Sequence, residues 1–545
     1  MRALLPVLVA TACGSSLTPS AGPVRFANRN PVWKVDDRHD VPNPPAERSF
    51  KKTSFYVDSY YKLAVRKFNL TRSRRSLGVN SMDEVPDSTW FTNRIGVRVV
   101  SSDEIRRGPG PDTPEQHLPW TIQSSKAGGT EPGFICEDAR GEKFLLKFDR
   151  ADDPETETAA DAISARLLWA AGYNVPADHV VYFRREHLKL GKDAYAKVGG
   201  KKKPIDDKFV DTQLATRGRE ADGRIRGIAS MYIPGKPLGG STREGVRADD
   251  PNDLIDHEMR RDQRGQAAFF AWLSHDDIKE DNTVDAWQED PANKNHHYVV
   301  HYLIDFGWAL GADSQATKEP YADYRFGLDP ALTFRSIIGL GLWREPWENR
   351  QPSTIRGVGM FNERDYDPEL WKPANPSHFP ILRADRFDKL WASKIMMRFT
   401  REQLAAAVDA GRFTHPKAKA TLVDALVGRQ RKTAHYWFRQ TSPLDEFSIA
   451  EGHLCFTDLA LAHRLETART QYAIHVFDVD GKPTGVTGAL ANTAGRACTD
   501  ALPLAPGPHR YTIYSISNGR GVPGVLLYLA HDAAGKPRII GLHRK

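Results

Sequence analysis

Two short polar segments carry the side chains whose types and spacing could do chemistry in this chain. They are the loop sequence HDDIKEDN, which begins at His275, and the triplet DFG, which begins at Asp305. Phosphoryl transfer needs a carboxylate near the attacking hydroxyl, oxygen ligands for Mg²⁺ and positive charge on the phosphates. Asp277 can supply that carboxylate, and Lys279 can steady the transferring phosphate. Asn282 and Asp305 can ligate the metal.

Strands and helices must bring these segments together. Residues 257–275 have a helical pattern that leads into the first segment, and an apolar strand leads into the second. The polar side of that helix carries Arg260, Arg261 and Arg264. These can bind phosphate or carboxylates of the activation segment, but on a polar helix face we expect them to face solvent. Further upstream, two strands and a turn are predicted within 120–148, and a helix at 154–171 ends at Gly172.

The two segments together resemble the protein-kinase superfamily. The first matches the catalytic-loop pattern H-R-D-L-K-x-x-N, and the second, 28 residues after Asp277, matches the metal-binding D-F-G motif. Asp276 stands where many regulated kinases have Arg, and we find no A-P-E-like segment after Gly311. The resemblance is therefore to the atypical branch (HipA-like, CotH-like and secretory-pathway kinases). It covers about residues 120–440 and implies ATP and Mg²⁺ or Mn²⁺ as cofactors.

The resemblance also assigns a phosphate-binding lysine. Lys147, at the end of a predicted strand, stands where kinases place the lysine that holds the α- and β-phosphates and contributes to catalysis. Its partner would be an acid on the following helix. Asp161 has the spacing expected from the atypical kinases, and Glu157 lies one turn earlier on the same face, so both stay open.

Further nucleotide contacts follow from the same resemblance. A loop over the phosphates needs close approach of the backbone, which the three glycines upstream of Lys147 permit. The segment 230–235 has the placement of the hinge strand that holds the adenine edge. The candidate nucleotide-binding residues there are Gly128, Gly129 and Gly133 in the loop and Met231 and Ile233 in the hinge.

The fold class expected from these patterns is α+β, a bilobal kinase-like fold followed by a small β-sandwich. About 100 residues of alternating strands after Pro443 suggest the sandwich. The predicted regions are a signal peptide with a lipobox Cys (1–13), a tether (14–50), an N-terminal extension that packs on the kinase-like domain (51–119), a sheet-rich N-lobe (120–236), a helical C-lobe (237–442) and the β-sandwich (443–545).

The first residues, MRALLPVLVATACGSS, have the form of a secretory signal. The small residues before Cys13 resemble the bacterial lipobox, in which the cysteine is lipidated. The resemblance implies an exported bacterial lipoprotein that faces the periplasm or the cell surface, for example at the outer membrane. The alternatives are an ordinary cleaved signal, which would leave a periplasmic protein, and a buried N-terminal strand.

Composition excludes several classes of protein. The chain has 545 residues and a formal net charge of +7, and 10% of its residues are aromatic. This aromatic content excludes a mainly disordered chain, and no apolar run is long enough for a polytopic membrane protein. A net charge of +7 spread over 545 residues is too small to indicate nucleic acid as a partner. Cys455 and Cys498 can pair in an oxidising compartment, or each can be a small buried hydrophobe.

The sequence therefore predicts an exported, lipid-anchored, ATP- and Mg²⁺-dependent phosphotransferase of atypical kinase type. Its acceptor would be a hydroxyl of a protein or a carbohydrate, and the C-terminal β domain would engage a further partner. Two alternatives stay open. One is a catalytically inactive, pseudokinase-like binding or scaffold lipoprotein, and the other is a kinase relative that transfers AMP.

Overall fold

The computed structural model describes residues 26–67, 74–126, 132–198, 201–313, 319–327, 329–375, 378–467, 469–492, 494–499 and 511–545. The chain folds into two compact units. The larger contains Val32–Asn80 and Glu84–Trp437, and the smaller contains residues 26–31, Ser81–Asp83 and Phe438–Lys545. In the described ranges, no helix combines the length and the apolar character that crossing a membrane requires.

A seven-stranded sheet forms one part of the larger unit. Its strands are β1 (Trp120–Ser125), β2 (Gly133–Glu137), β3 (Lys143–Lys147), β4 (Asp178–Phe183), β5 (Leu188–Val198), β6 (Lys201–Pro204) and β7 (Ile225–Met231). The order is β4-β7-β3-β2-β1-β5-β6, and all neighbours are antiparallel except β1 and β5. Trp120, Phe144 and Phe183 are buried together in the core of this sheet. Phe144 and Leu146 of β3 point into this core, so Lys147 projects from the opposite face of the sheet.

Helices make up most of the rest of the larger unit. They are α1 (Lys52–Lys67), α2 (Ser102–Arg107), α3 (Thr156–Ala171), α4 (Asp207–Ala215), α5 (Arg261–Leu273), α6 (Pro330–Ile338), α7 (Phe379–Leu382), α8 (Arg386–Met396), α9 (Arg401–Val408) and α10 (Ala418–Gln440). Side chains of α3, α5, α8, α9 and α10 share one hydrophobic core. Almost every residue of α3 is buried, including its polar ones, so this helix has no solvent face.

A second, three-stranded sheet of the larger unit brings the two polar segments together. Its strands are β8 (Lys236–Pro237), β9 (Thr283–Asp290) and β10 (Asn293–Leu303), in the order β10-β9-β8. β9 and β10 are antiparallel, and Leu303 pairs with Thr283. Because the hairpin starts at Thr283 and ends at Leu303, Asn282 and Asp305 leave it at the same end.

The smaller unit is mainly β structure. Its strands are β11 (Leu444–Ala450), β12 (His453–Asp458), β13 (Thr470–Phe477), β14 (Pro483–Asn492), β15 (Arg496–Cys498), β16 (Tyr511–Ser517), β17 (Val525–His531) and β18 (Pro537–Arg544), and α11 (Leu459–Ala462) follows β12. Two antiparallel sheets, β11-β12-β15 and β14-β13-β16-β17-β18, contribute side chains to one core. Cys455 and Cys498, which face each other across β12 and β15, form a disulfide.

The prediction of a mixed fold with sheet-rich and helical regions is confirmed at that level. The bilobal arrangement, the C-terminal sandwich and the region boundaries stay predictions. The described part of the predicted tether is not a free linker, because Val41 is buried and its backbone N–H donates to His297 O. Cys13 lies outside the described residues.

The expectation that the arginines near the start of α5 face solvent is wrong. Arg260, Arg261 and Arg264 are buried. Arg260 donates to Asp262, and Arg261 and Arg264 lie within ion-pair distance of Asp388 on α8. Their charges are therefore neutralised inside the larger unit.

Candidate active site

Lys147 occupies the centre of the candidate site. It is the last residue of β3 and is 4% exposed. Its Nζ donates to Asp161 Oδ2 at 2.7 Å and to Asp305 Oδ1 at 2.8 Å. The ammonium group therefore joins the seven-stranded sheet, α3 and the segment that follows β10.

Asp161, rather than Glu157, is the acid on α3 that bonds to Lys147. Asp161 also accepts a hydrogen bond on Oδ1 from the backbone N–H of Phe306, with a donor–acceptor distance of 2.6 Å. Glu157 lies one turn away against Gly307, where an added Cβ would come within 2.9 Å of Glu157 Cγ. The absence of a side chain at Gly307 thus lets α3 lie close to the segment that begins at Asp305.

Asp305 has an unusual backbone conformation, with φ at +65°. Non-glycine residues rarely adopt this conformation, and it persists where surrounding contacts enforce it. Here the contacts are the bond from Lys147 to the carboxylate and the bond from the next residue, Phe306, to Asp161. The Asp305 side chain stays 47% exposed. One of its carboxylate oxygens is held inward while the side chain can still reach a ligand.

The loop at 275–282 presents a second set of groups. Lys279 Nζ donates to Asp277 Oδ2 at 2.5 Å, and Asn282 Nδ2 donates to the backbone carbonyl of Asp277 at 2.7 Å. Ile304 N donates to Asn282 O at 3.0 Å, which links this loop to the residue before Asp305. The ring of His275 meets the ring of Phe306 edge-on. Asp277, Lys279, Asn282 and Asp305 thus belong to one connected site.

Burial and ion pairing shift the pKa values of the charged side chains in the site. Burial opposes the charged form of Lys147, but the carboxylates of Asp161, Asp305 and Glu157 raise its pKa well above the usual value. The same ammonium holds the pKa of Asp305 below its usual value. Burial raises the pKa of Asp161 in spite of the attraction to Lys147. Burial likewise opposes the charge of Lys279, whose pKa the Asp277 carboxylate raises.

The glycine-loop and hinge residues are described only in part. Gly128 and Gly129 lie outside the described residues. Gly133 starts β2 directly opposite Lys147, and an added Cβ there would lie 2.6 Å from Leu146 O. Met231 ends β7 and is buried, and Ile233 is half-buried just after it. A nucleotide role for these residues stays a prediction.

The donor set fits Mg²⁺ bound together with substrate phosphates. Mg²⁺ prefers oxygen ligands and is commonly held by one or two carboxylates plus phosphates. The Asn282 amide uses its Nδ2 on Asp277, and among the described residues neither Asn282 Oδ1 nor Asp305 Oδ2 accepts a hydrogen bond. In the part of the chain that the structure describes, no three or more His, Cys, Asp or Glu side chains form a group that could hold a metal ion. Waters and phosphate oxygens would complete the coordination of a metal held by these residues.

Sequence reasoning missed two polar residues of this region. Asn375 Nδ2 lies 3.4 Å from Asp277 Oδ1, and it belongs to a segment that bonds to the loop through Ala374 N and Asp276 O. Asp178, at the start of β4, is 2% exposed, and burial together with the nearby Asp161 charge raises its pKa well above the usual value. Neither residue belongs to a motif, so only the tertiary structure could identify them.

Comparisons with known proteins leave the chain without an assigned family. No family model and no curated protein matches it. A solved structure, the Rio2 kinase–ADP/Mg²⁺–phosphoaspartate complex from Chaetomium thermophilum, is similar to it with 15% sequence identity and a TM-score of 0.22. The likeness covers 57% of this chain and 72% of that chain. A TM-score this low is not evidence of a shared fold.

Proposed function

We propose that this protein is a kinase-like phosphotransferase that uses ATP and Mg²⁺ or Mn²⁺ to phosphorylate a hydroxyl group. The observation that carries this proposal is the position of Lys147 between Asp161 and Asp305. In protein kinases a strand lysine paired with an acid on the next helix and the aspartate of the D-F-G motif must both be in place for catalysis. Asp161 would take the role of that helix acid.

Each side chain would have a distinct task. Lys147 would hold the α- and β-phosphates, and Asp305 with Asn282 would hold the metal. The metal, when bound, neutralises charge on the phosphates. The exposed part of the Asp305 side chain and the Asn282 Oδ1 are the groups left for that ligand.

The transfer itself would use the loop at 275–282. Asp277 would orient the acceptor hydroxyl and take its proton as the oxygen attacks the γ-phosphorus. The bond between the γ-phosphorus and the bridging oxygen breaks, so the products are a phosphate ester and ADP. Lys279, whose Nζ lies 2.5 Å from Asp277 Oδ2, would steady the transferring phosphoryl group. Asn375 would limit the movement of Asp277.

The setting of this activity belongs to the same proposal. The N-terminal signal and Cys13 support an exported lipoprotein at a bacterial membrane, facing the periplasm or the cell surface. The acceptor would be a protein or a carbohydrate there, and the smaller unit would engage a further partner. Binding of nucleotide without turnover and transfer of AMP are the two alternatives that an experiment must separate.

Labelled ATP tests the proposal directly. Purified protein is incubated with γ-labelled or α-labelled ATP and Mg²⁺ or Mn²⁺, in parallel with Asp305→Ala and with Asp281→Ala, an exposed acid of the same loop. We expect label from the γ-position only, lost in Asp305→Ala and kept in Asp281→Ala.

Other outcomes identify the alternatives. Label from the α-position indicates AMP transfer and contradicts phosphotransfer. If neither label transfers but ATP raises the melting temperature, the protein is a nucleotide-binding module; a hundredfold excess over Kd stabilises by about 2.7 kcal/mol. Absence of both label and stabilisation overturns nucleotide use altogether.

A further inference from the structure

One helix of the larger unit has an apolar face that no other described element covers. On α1, Val57 is 61% exposed, Tyr61 67% and Val65 48%. These residues are spaced by four, so they form one stripe along the helix. Surface hydrophobic residues scattered singly are common, but a continuous stripe marks an interaction surface.

The opposite face of α1 is anchored to the larger unit. Phe55 is buried beneath Arg243, and Asp58 forms an ion pair with the same arginine. Lys62 Nζ bonds to Glu244 at 2.6 Å. The helix is therefore held in one orientation, with the stripe turned outward.

Charge distinguishes α1 from other exposed apolar surfaces. Between Lys51 and Lys67 the sequence has five Lys or Arg residues and a single acid, Asp58, which is the one paired with Arg243. This stretch carries a net charge of +4 out of +7 for the whole chain. Lys51 and Lys52, at the start of the helix, are exposed. A basic helix with exposed Val and Tyr is typical of binding to a membrane surface.

The exposed apolar residues of α6 lack this charge. Phe334 and Ile337 are each 65% exposed, but the only charged residue of α6 is Arg335, which is already paired with Glu345. An apolar face alone does not select a partner, whereas a basic one selects an anionic surface.

We propose that α1 binds an anionic lipid bilayer, with Val57, Tyr61 and Val65 in the headgroup region and Lys51 and Lys52 on lipid phosphates. This contact is separate from any acyl chain on Cys13. On its anchored side, the start of α1 lines a cavity of about 550 Å³ together with Glu280 of the loop at 275–282. The lipid contact itself does not depend on ATP or on the proposed function.

Vesicle binding of the full chain tests the proposal. Every protein carries Cys13→Ser, so that no acyl chain contributes and the N-terminal segment is the same throughout. The probes are vesicles of phosphatidylcholine alone and of phosphatidylcholine with phosphatidylglycerol. We expect at least tenfold tighter binding to the anionic vesicles, weakened by added salt.

Two pairs of matched variants locate the contact. Val57→Ser/Tyr61→Ser should weaken binding about tenfold, whereas Phe334→Ser/Ile337→Ser, with similar side chains and exposure on α6, should not. Lys51→Gln/Lys52→Gln should weaken binding to anionic vesicles by about fivefold per lysine. Lys201→Gln/Lys202→Gln, on the exposed β6, should change it less than twofold. Circular dichroism and the melting temperature check that each variant is folded.

Several results would overturn the proposal. They are no binding to anionic vesicles, equal binding to neutral ones, or an equal loss in the α6 or β6 variants. Light scattering that shows a dimer, abolished by Val57→Ser/Tyr61→Ser and not competed by vesicles, would assign the face to a second copy of the chain instead. Because binding is measured without ATP, a failed phosphotransfer assay leaves this test unaffected.

Discussion

Lys147 and Lys279 both pair with aspartates of the candidate site, but their surroundings differ. Lys147 is almost fully buried and makes two short ion pairs, one of them to an acid that also binds a backbone N–H. The Lys279 side chain is 21% exposed and pairs with a single carboxylate, which is 15% exposed. The Lys147 cluster fixes the geometry of the site. Under the proposed function, the loop would exchange the bond between Lys279 and Asp277 for bonds to substrates.

Because the pair formed by Lys279 and Asp277 is the more exposed of the two, we expect a substitution in its loop to have the largest effect on catalysis. Asp277→Asn keeps the shape of the side chain but removes the carboxylate that, under the proposed function, takes the acceptor proton, so kcat should fall by about 10² to 10⁴. ATP affinity and the melting temperature should stay unchanged. Rates measured with labelled ATP test this, with Asp281→Asn as the control on the same loop. A variant that keeps a tenth of the activity or more would contradict the role of Asp277.

The largest effect on stability should come from the buried cluster. Lys147→Met leaves Asp161 buried without its counter-charge, so the free energy of unfolding should fall by about 3–5 kcal/mol. Lys279→Met should lower it by less than about 1 kcal/mol, because a partly exposed pair contributes little. Urea denaturation measures both. Equal losses in the two variants would show that the two lysines do not differ in this way.

A smaller effect should separate the two acids of α3. Asp161→Asn removes the charged bond to Lys147, so the Kd for ATP should rise about tenfold. Glu157→Gln, one turn away, should change it less than about twofold, because Lys147 Nζ directs its bonds to Asp161 and Asp305. Isothermal titration with ATP and Mg²⁺ compares the two. A larger effect of Glu157→Gln would reverse the assignment of the lysine's partner.

A pH-dependent effect on stability is expected from His378, which lies beside the loop. His378 lines a small cavity together with Lys279 and Asn282, and within the described residues neither of its ring nitrogens has a hydrogen-bond partner. Burial lowers its pKa to about 3, with further lowering from the charges of His257 and Arg243. Below a pH of about 6.5 the unfolded chain therefore binds a proton that the folded chain does not, and stability is lost as the pH falls.

The pH dependence of unfolding tests whether His378 is neutral in the folded protein. The free energy of unfolding of the wild type should fall up to about 1.4 kcal/mol per pH unit more steeply than that of His378→Leu between about pH 6 and pH 4. Urea denaturation over this range measures the difference. His39→Leu, which changes an exposed histidine, should keep the wild-type slope. Parallel curves for wild type and His378→Leu would exclude a neutral buried histidine here.

Part of the site could be predicted from the sequence because its motifs are local. The loop beginning at His275 and the triplet beginning at Asp305 hold their candidate groups within eight and three residues, so the spacing and the resemblance to kinase motifs are enough to select them as candidates. The choice between Asp161 and Glu157 could not be made in this way, because both lie on one helix face. The backbone N–H of Phe306, 145 residues after Asp161, decides it.

The burial of the arginines of α5 could not be predicted from the sequence. A polar helix face indicates solvent exposure when the neighbours of the helix are unknown. The packing of α8 against α5 places Asp388 beside Arg261 and Arg264, and burial then follows from the ion pairs. Asn375 near Asp277 is likewise a contact between distant segments, 98 residues apart.

The sequence by itself determined which side chains could do chemistry, the strands and helices on which most of them lie, and the basic character of residues 51–67. Tertiary structure alone decided which acid holds Lys147, which charges are buried, and which face of α1 is exposed. The physical reason is that local sequence specifies backbone conformation and side-chain type. Burial and ion pairing depend on elements that meet only when the chain has folded.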